Sequence, residues 1–331
     1  MRILYVAMRY DYGNPARGLS FEETNFRSAL EGMGHDVVPF DFMAREKAVG
    51  RQRMRHELID AASATQPDFA FFVLFTDQID PRTIELVCEG GSCRTANWFA
   101  DDHWRFDTFT RHYAPAFDLA VTTDADSLAR YRELAGVRVH LSQWACNKYL
   151  YKRTTSEIRH RVTFVGQPHG TRRQAIAELR RSAIEVECWG HGWPNGRLSH
   201  ADMVDVFSSS EINLNLSNSS GIRGWRSALD RILGRPAASD RRPQIKGRNF
   251  EVPGCGGFIL TERLPHLEEY FTYDREIGVY SGEAELAERI NWWLDHPTER
   301  AAVAEAGYRR VLADHTYDHR FAAIFAELHL Q

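Results

Sequence analysis

The chain is punctuated by short apolar runs, each followed by a segment of helical periodicity. Such alternation strongly favours parallel strands joined by crossover helices, because a parallel pair cannot be closed by a tight turn. The first series of runs is RILYVA (2–7), HDVVPF (35–40), DFAFFVLF (68–75), RTANWFA (94–100), DLAVTT (118–123) and VRVHL (137–141). A second series follows: RVTFVG (161–166), IEVECWG (184–190), INLNLS (212–217), GFILTE (257–262) and IGVYS (277–281). Between the series, periodicity fades and charge rises over SQWACNKYLYKRTTSEIRH. The expected fold is therefore α/β, with two Rossmann-like doubly wound domains facing across a cleft. The boundaries are 1–145 for an N-terminal domain, 146–160 for a linker, 161–314 for a C-terminal domain and 315–331 for a terminal helix.

Length agrees, since 331 residues exceed what one core of ~150 residues normally organises. A content of 43% hydrophobic and 26% charged residues is that of a globular protein, and a net charge of -4 gives no general attraction to nucleic acid. The N-terminal apolar stretch is too short for a signal h-region, and no run reaches the ~18 residues of a membrane span. The five cysteines are odd in number and lack a CxxC pair. Free, mostly buried thiols in a reducing cytoplasm are expected.

Helix boundaries are legible in places. Ser20 stands three residues before Glu23 as a capping box, and Asp80 precedes Pro81 as a cap before the first helical position. In contrast, 218–243 is rich in Arg, Gly, Ser and Pro and reads as a long excursion, either functional or solvated.

Ligands of doubly wound sheets bind beyond the carboxyl ends of the strands, so the strand-to-helix junctions carry the candidate chemistry. In RYDYGNPARGLSFEE (9–23), Gly13 and Gly18 permit a tight turn. The junction is either purely structural or a contact for a diphosphate or acceptor, with Arg17 as its charge. NWFADDHWRFD (97–107) places Asp101, Asp102 and His103 directly after a strand. One of them could deprotonate an acceptor, with Trp98, Trp104 and Phe106 as walls for a sugar ring; alternatively one Asp caps the next helix and the aromatics are core.

FVGQPHGTRR (164–173) sets Arg172 and Arg173 at a helix start after a strand, a combination suited to phosphate or simply a solvated basic helix end. In GRNFEVPGCGGFILTE (247–262), Arg248 with Lys246 just before it suits a diphosphate. Glu251 lies one turn on, where a carboxylate could accept from two adjacent ribose hydroxyls. This arrangement calls for no metal and no cofactor.

These pieces, with WGHGWP (189–194), SHADMVDVFSSSEINLNLS, the run LPHLEEYFTYDREIGVYSGEAELAERINWWLDHP and HTYDHR (315–320), resemble the CgeB-like (spore maturation type) glycosyltransferases. In the first half, GLSFEETNFRSALEGMGHDVVPFD and NWFADDHWRFD resemble the N-terminal domain of the same family. The resemblance implies a GT-B fold, a nucleoside-diphosphate sugar as donor and an unidentified acceptor. It implies that Glu251 binds the donor ribose, matching the second glutamate of the Glu-x7-Glu element of related retaining enzymes. This chain departs from the element, because Pro243 stands where the first glutamate would be. The function expected is transfer of a sugar; the alternatives are an epimerase or hydrolase of similar fold, or a non-catalytic nucleotide-sugar-binding subunit.

Overall fold

The computed structural model describes residues 1–89, 93–155, 157–216 and 244–330. Two compact units emerge: Met1–Gln143 with Tyr317–Gln331, and Trp144–Thr316. The first contains β1 (Arg2–Val6), β2 (Asp36–Phe40), β3 (Phe69–Phe72), β4 (Arg94–Phe99), β5 (Leu119–Thr122) and β6 (Val139–Leu141). They form a six-stranded sheet in the order β2-β1-β3-β4-β5-β6, parallel throughout. The second contains β7 (His160–Val165), β8 (Glu187–Trp189), β9 (Ser210–Asn215), β10 (Ile259–Glu262) and β11 (Gly278–Tyr280). Its sheet, also parallel, runs β11-β10-β9-β7-β8. Each apolar run of the sequence is thus a strand with shifted ends. Helices cover both faces of such sheets, which is why β3 is buried at all four residues and reads as an unbroken apolar run.

The caps form as their residues dictate. The Ser20 hydroxyl accepts from Glu23 N–H at 3.0 Å, but the Glu23 carboxylate pairs with Arg27 at 2.8 Å instead of returning to the cap. Asp80 accepts from Thr83 N–H at 2.8 Å and opens the Pro81–Val87 helix.

Two allocations differ from the sequence reading. Residues after 143 pack with the second unit, because Cys146 and Tyr151 are buried there and Cys146 N–H donates to His315 O at 2.9 Å. The Tyr317–Glu327 helix belongs to the first unit. Its Tyr317 and Phe321 meet Phe26 edge-on at 5.1 and 5.9 Å, and Phe325 meets Phe69 at 5.8 Å. The thiol expectation is also corrected: Cys88 and Cys93 form a disulfide, their Cα atoms 5.2 Å apart. Cys146, Cys188 and Cys255 are free and buried.

The VPGCGGF turn that feeds β10 has a distinct reason for each of two glycines. Gly256 adopts φ +74°, where a side chain is strained. Gly257 is fixed by close approach, since a Cβ there would lie 2.2 Å from the Phe207 carbonyl oxygen. That oxygen is backbone and cannot swing away. Gly257→Ala is therefore expected to destabilise the protein by about 3 kcal/mol, the upper end for overpacking, measurable by chemical denaturation.

Candidate functional site

In the second sheet the chain leaves β7 toward β8 on one side and returns to β9 on the other, so the β7/β9 boundary is its topological switch point. Arg172 sits at that boundary. Its Nε donates to Leu216 O, just past β9, at 3.0 Å, and its Nη1 donates to Gln167 O, just past β7, at 2.9 Å. The guanidinium carbon lies 5.4 Å from the Phe164 ring centre, and the residue is only 8% exposed. Arg172 therefore ties the two strand ends together while carrying a buried positive charge. Burial, and after it the charge of Arg248, pushes this guanidinium down to about 10.

Arg248 opens the Arg248–Gly254 helix. Its Nε is buried without a hydrogen-bond partner among the described residues. Two guanidinium groups are thus held near enough to oppose one another's charge, one with an unused buried donor. An anion placed there would relieve both costs.

A network that sequence reasoning missed fixes the start of this helix. Asn249 Oδ1 accepts from Lys246 N–H at 3.0 Å and from Asn215 Nδ2 at 3.1 Å, while Asn249 Nδ2 donates to Thr261 Oγ1 at 3.1 Å. Asn215 Nδ2 also donates to Thr261 Oγ1 at 3.1 Å, and all three side chains are buried. Their signal in the sequence is a polar residue at the carboxyl end of an otherwise apolar strand, in INLNLS and GFILTE. The Lys246 ammonium donates to Gln244 Oε1 at 3.3 Å.

Glu251, one turn along the helix, is 5% exposed. Burial raises its carboxyl above the ordinary carboxylate range; the Arg248 charge and the Tyr151 hydroxyl pull it back. Arg172, Lys246, Arg248 and Glu251 all belong to the second unit. Arg173, left open by the sequence, donates to Gly192 O at 2.7 Å and covers the Trp193 ring, closing the WGHGWP turn. Pro243 and the 218–243 stretch lie outside the described residues.

Gly13 and Arg17 belong to the first unit. Gly13 takes φ +68° against the Met43 side chain. Arg17 pairs with Asp11 at 2.8 Å and lies over the Tyr12 ring at 4.6 Å.

The Asp101–Asp102–His103 triplet divides. Asp102 is fully buried and accepts from Thr110 Oγ1 and Thr122 Oγ1 at 2.6 Å and from the Tyr131 hydroxyl at 2.7 Å. Its expected role as an acceptor base is corrected: three hydroxyls occupy a carboxylate with no surface to offer. Burial raises its carboxyl, against those three bonds. Asp101 stays partly exposed, as does His103, whose ring centre is 6.5 Å from that of Trp104. Of the proposed walls, Trp98 and Phe106 are core, whereas Trp104 is 60% exposed.

Residues 169–326 match a family model described as glycosyl transferase-like. The chain is 23% identical over 291 residues to spore protein CgeB of Bacillus subtilis, covering 84% of this chain and 86% of that protein. A sucrose-phosphate synthase from Thermosynechococcus elongatus superposes with a TM-score of 0.62 at 10% identity, covering 99% of both chains. HepE from Anabaena, in complex with UDP-glucose, gives 0.61 at 12% identity, covering 98% of this chain and 99% of that one. The two parallel sheets and the matched domain define a glycosyltransferase of the GT-B fold. Within that class the chain resembles spore protein CgeB over most of its length.

Proposed function

We propose that the chain transfers a sugar from a nucleoside diphosphate, with the donor held by the second unit. The observation that carries this reading is the pair Arg172 and Arg248 at the β7/β9 switch point, where the buried Arg248 Nε has no hydrogen-bond partner among the described residues. The diphosphate would lie on these guanidinium groups and on Lys246, and the ribose hydroxyls on Glu251. As the bond from the sugar carbon to the phosphate oxygen breaks, charge grows on the departing diphosphate. Fixed cations stabilise that charge where it develops, without a metal ion in this scheme. The acceptor is assigned to the first unit, and HepE's complex makes UDP-glucose the first donor to try.

The test is a thermal-shift and calorimetric screen over UDP, GDP, dTDP and CDP, followed by an assay of UDP-glucose consumption. One nucleotide should raise the melting temperature, since a ligand at 100 times its Kd adds about 2.7 kcal/mol of stability. No shift with any nucleotide and no donor consumption would remove the reading.

Glu251→Gln separates a binding role from a structural one. The folded carboxyl is raised above its unfolded value. Its contribution to stability is therefore present at low pH and lost as pH rises through the folded value. At neutral pH the ionised group costs stability, so glutamine should raise the melting temperature of the free protein while weakening nucleotide binding at least tenfold. A variant that loses stability and keeps nucleotide affinity would assign Glu251 to structure.

A further inference from the structure

The first sheet has its own switch point, where β1 and β3 lie side by side while the chain between them visits β2 at the edge. A pocket of about 70 Å³ opens there, beyond the ends of β1, β3 and β4, with Met8, Glu22, Phe75, Asp101 and Arg105 in its wall. The space admits a hydroxyl group or a water or two, given ~30 Å³ per water in the liquid, and not a whole ring.

Its polar groups converge from separate segments. Glu22 is partly buried just before a π-helical turn at Glu23–Arg27. Asp101 and Arg105 come from the segment leading into a second such turn, Phe106–Thr110. Turns of this kind recur at functional sites because they re-aim side chains. Asp101 makes no side-chain cap bond to the helix that follows it. Arg105 is held by the Phe75 carbonyl and lies over the Phe109 ring at 4.3 Å; burial lowers its guanidinium, and the charges of Asp101 and Asp102 oppose this. Burial first, then the charges of Asp11 and Asp101, raise the Glu22 carboxyl; its own backbone N–H and the Ser20 hydroxyl oppose this.

Outside the pocket stand two exposed aromatic rings, each touching a residue of the wall. Trp104 is 60% exposed and 5.6 Å from the Arg105 guanidinium; Tyr12 is 54% exposed and 5.2 Å from the Phe75 ring, edge to face. Carboxylates, a guanidinium and flanking aromatic faces are the groups that recognise a sugar: hydroxyls donate to the carboxylates, and the apolar C–H face lies against an aromatic ring.

We propose that this pocket is a carbohydrate-binding site of the first unit, in which Glu22 and Asp101 accept from a ring hydroxyl and Trp104 covers the ring's apolar face. Together with the glycosyltransferase reading, on which this extension rests, it makes the acceptor a carbohydrate. Sequence reasoning passed over Glu22, because Glu23 next to it satisfied the capping pattern.

The experiment is saturation-transfer NMR with methyl α-glucoside, methyl β-glucoside and methyl N-acetylglucosaminide, on the wild type, Glu22→Gln and Trp104→Ala. Each sample is also titrated with UDP. At least one glycoside should give a signal with the wild type; the signal should vanish in Glu22→Gln and fall at least fivefold in Trp104→Ala, with UDP affinity unchanged in both. Trp104 is exposed, so its variant keeps the test valid even where Glu22→Gln folds poorly. No signal from any glycoside with the wild type, or wild-type signal in both variants, overturns the site. Failure of UDP to bind the wild type would instead strike the donor reading, leaving a glycoside signal that responds to Glu22 in place.

Discussion

Asp102→Ala is expected to destabilise the protein by about 3–5 kcal/mol, the range for disrupting a buried charged network. The substitution removes the acceptor for Thr110, Thr122 and Tyr131 at once. Each buried hydroxyl left without a partner costs ~1–3 kcal/mol, reduced where a threonine can turn to another acceptor. Thermal unfolding by calorimetry measures the effect, and Asp102→Asn, which keeps part of the network, should lose less. A stable Asp102→Ala protein with lost turnover would return this residue to the catalytic role that its position after β4 first suggested.

Arg248→Ala should weaken nucleoside-diphosphate binding by about 100-fold, equivalent to about 3 kcal/mol at 25 °C. The guanidinium contributes charge beside Arg172 and an Nε that nothing else in the described structure uses. Removing it relieves the opposition to Arg172 but also withdraws the charge that favours an ionised Glu251, so the two effects offset and the stability of the free protein should change little. This pairing of weaker binding with little-changed stability is the mark of a ligand site. Arg172→Ala would be less clean, because Arg172 holds the Gln167 and Leu216 carbonyls together. Calorimetric titration of UDP into wild type and Arg248→Ala reads the difference, and equal affinities would take Arg248 out of the site.

The central strands were legible because they are runs, such as β3 and β5, whose burial on both faces demands apolar residues nearly without interruption. The caps at Ser20 and Asp80 were legible for a similar reason: their chemistry is complete within four residues. Asp102 was not. It and Asp101 look alike in sequence, and what separates them are hydroxyls eight, 20 and 29 residues away that only the folded chain brings together. The same holds for the terminal helix, whose membership in the first unit is decided by Phe26 and Phe69 near the other end of the chain. Arg172 and Arg248 could each be singled out locally as cations at a junction. Their proximity, and the Asn215–Asn249–Thr261 network that fixes the helix start, depend on β9 and β10 lying side by side.

The central claim is that the second unit grips a diphosphate through Arg172 and Arg248 with the ribose on Glu251. A crystal structure of the protein grown with UDP tests it most directly. Phosphate oxygens should lie within hydrogen-bond distance of both guanidinium groups, including Arg248 Nε, and ribose hydroxyls on the Glu251 carboxylate. A nucleotide bound elsewhere, with the Arg248 Nε still unpartnered, would contradict it.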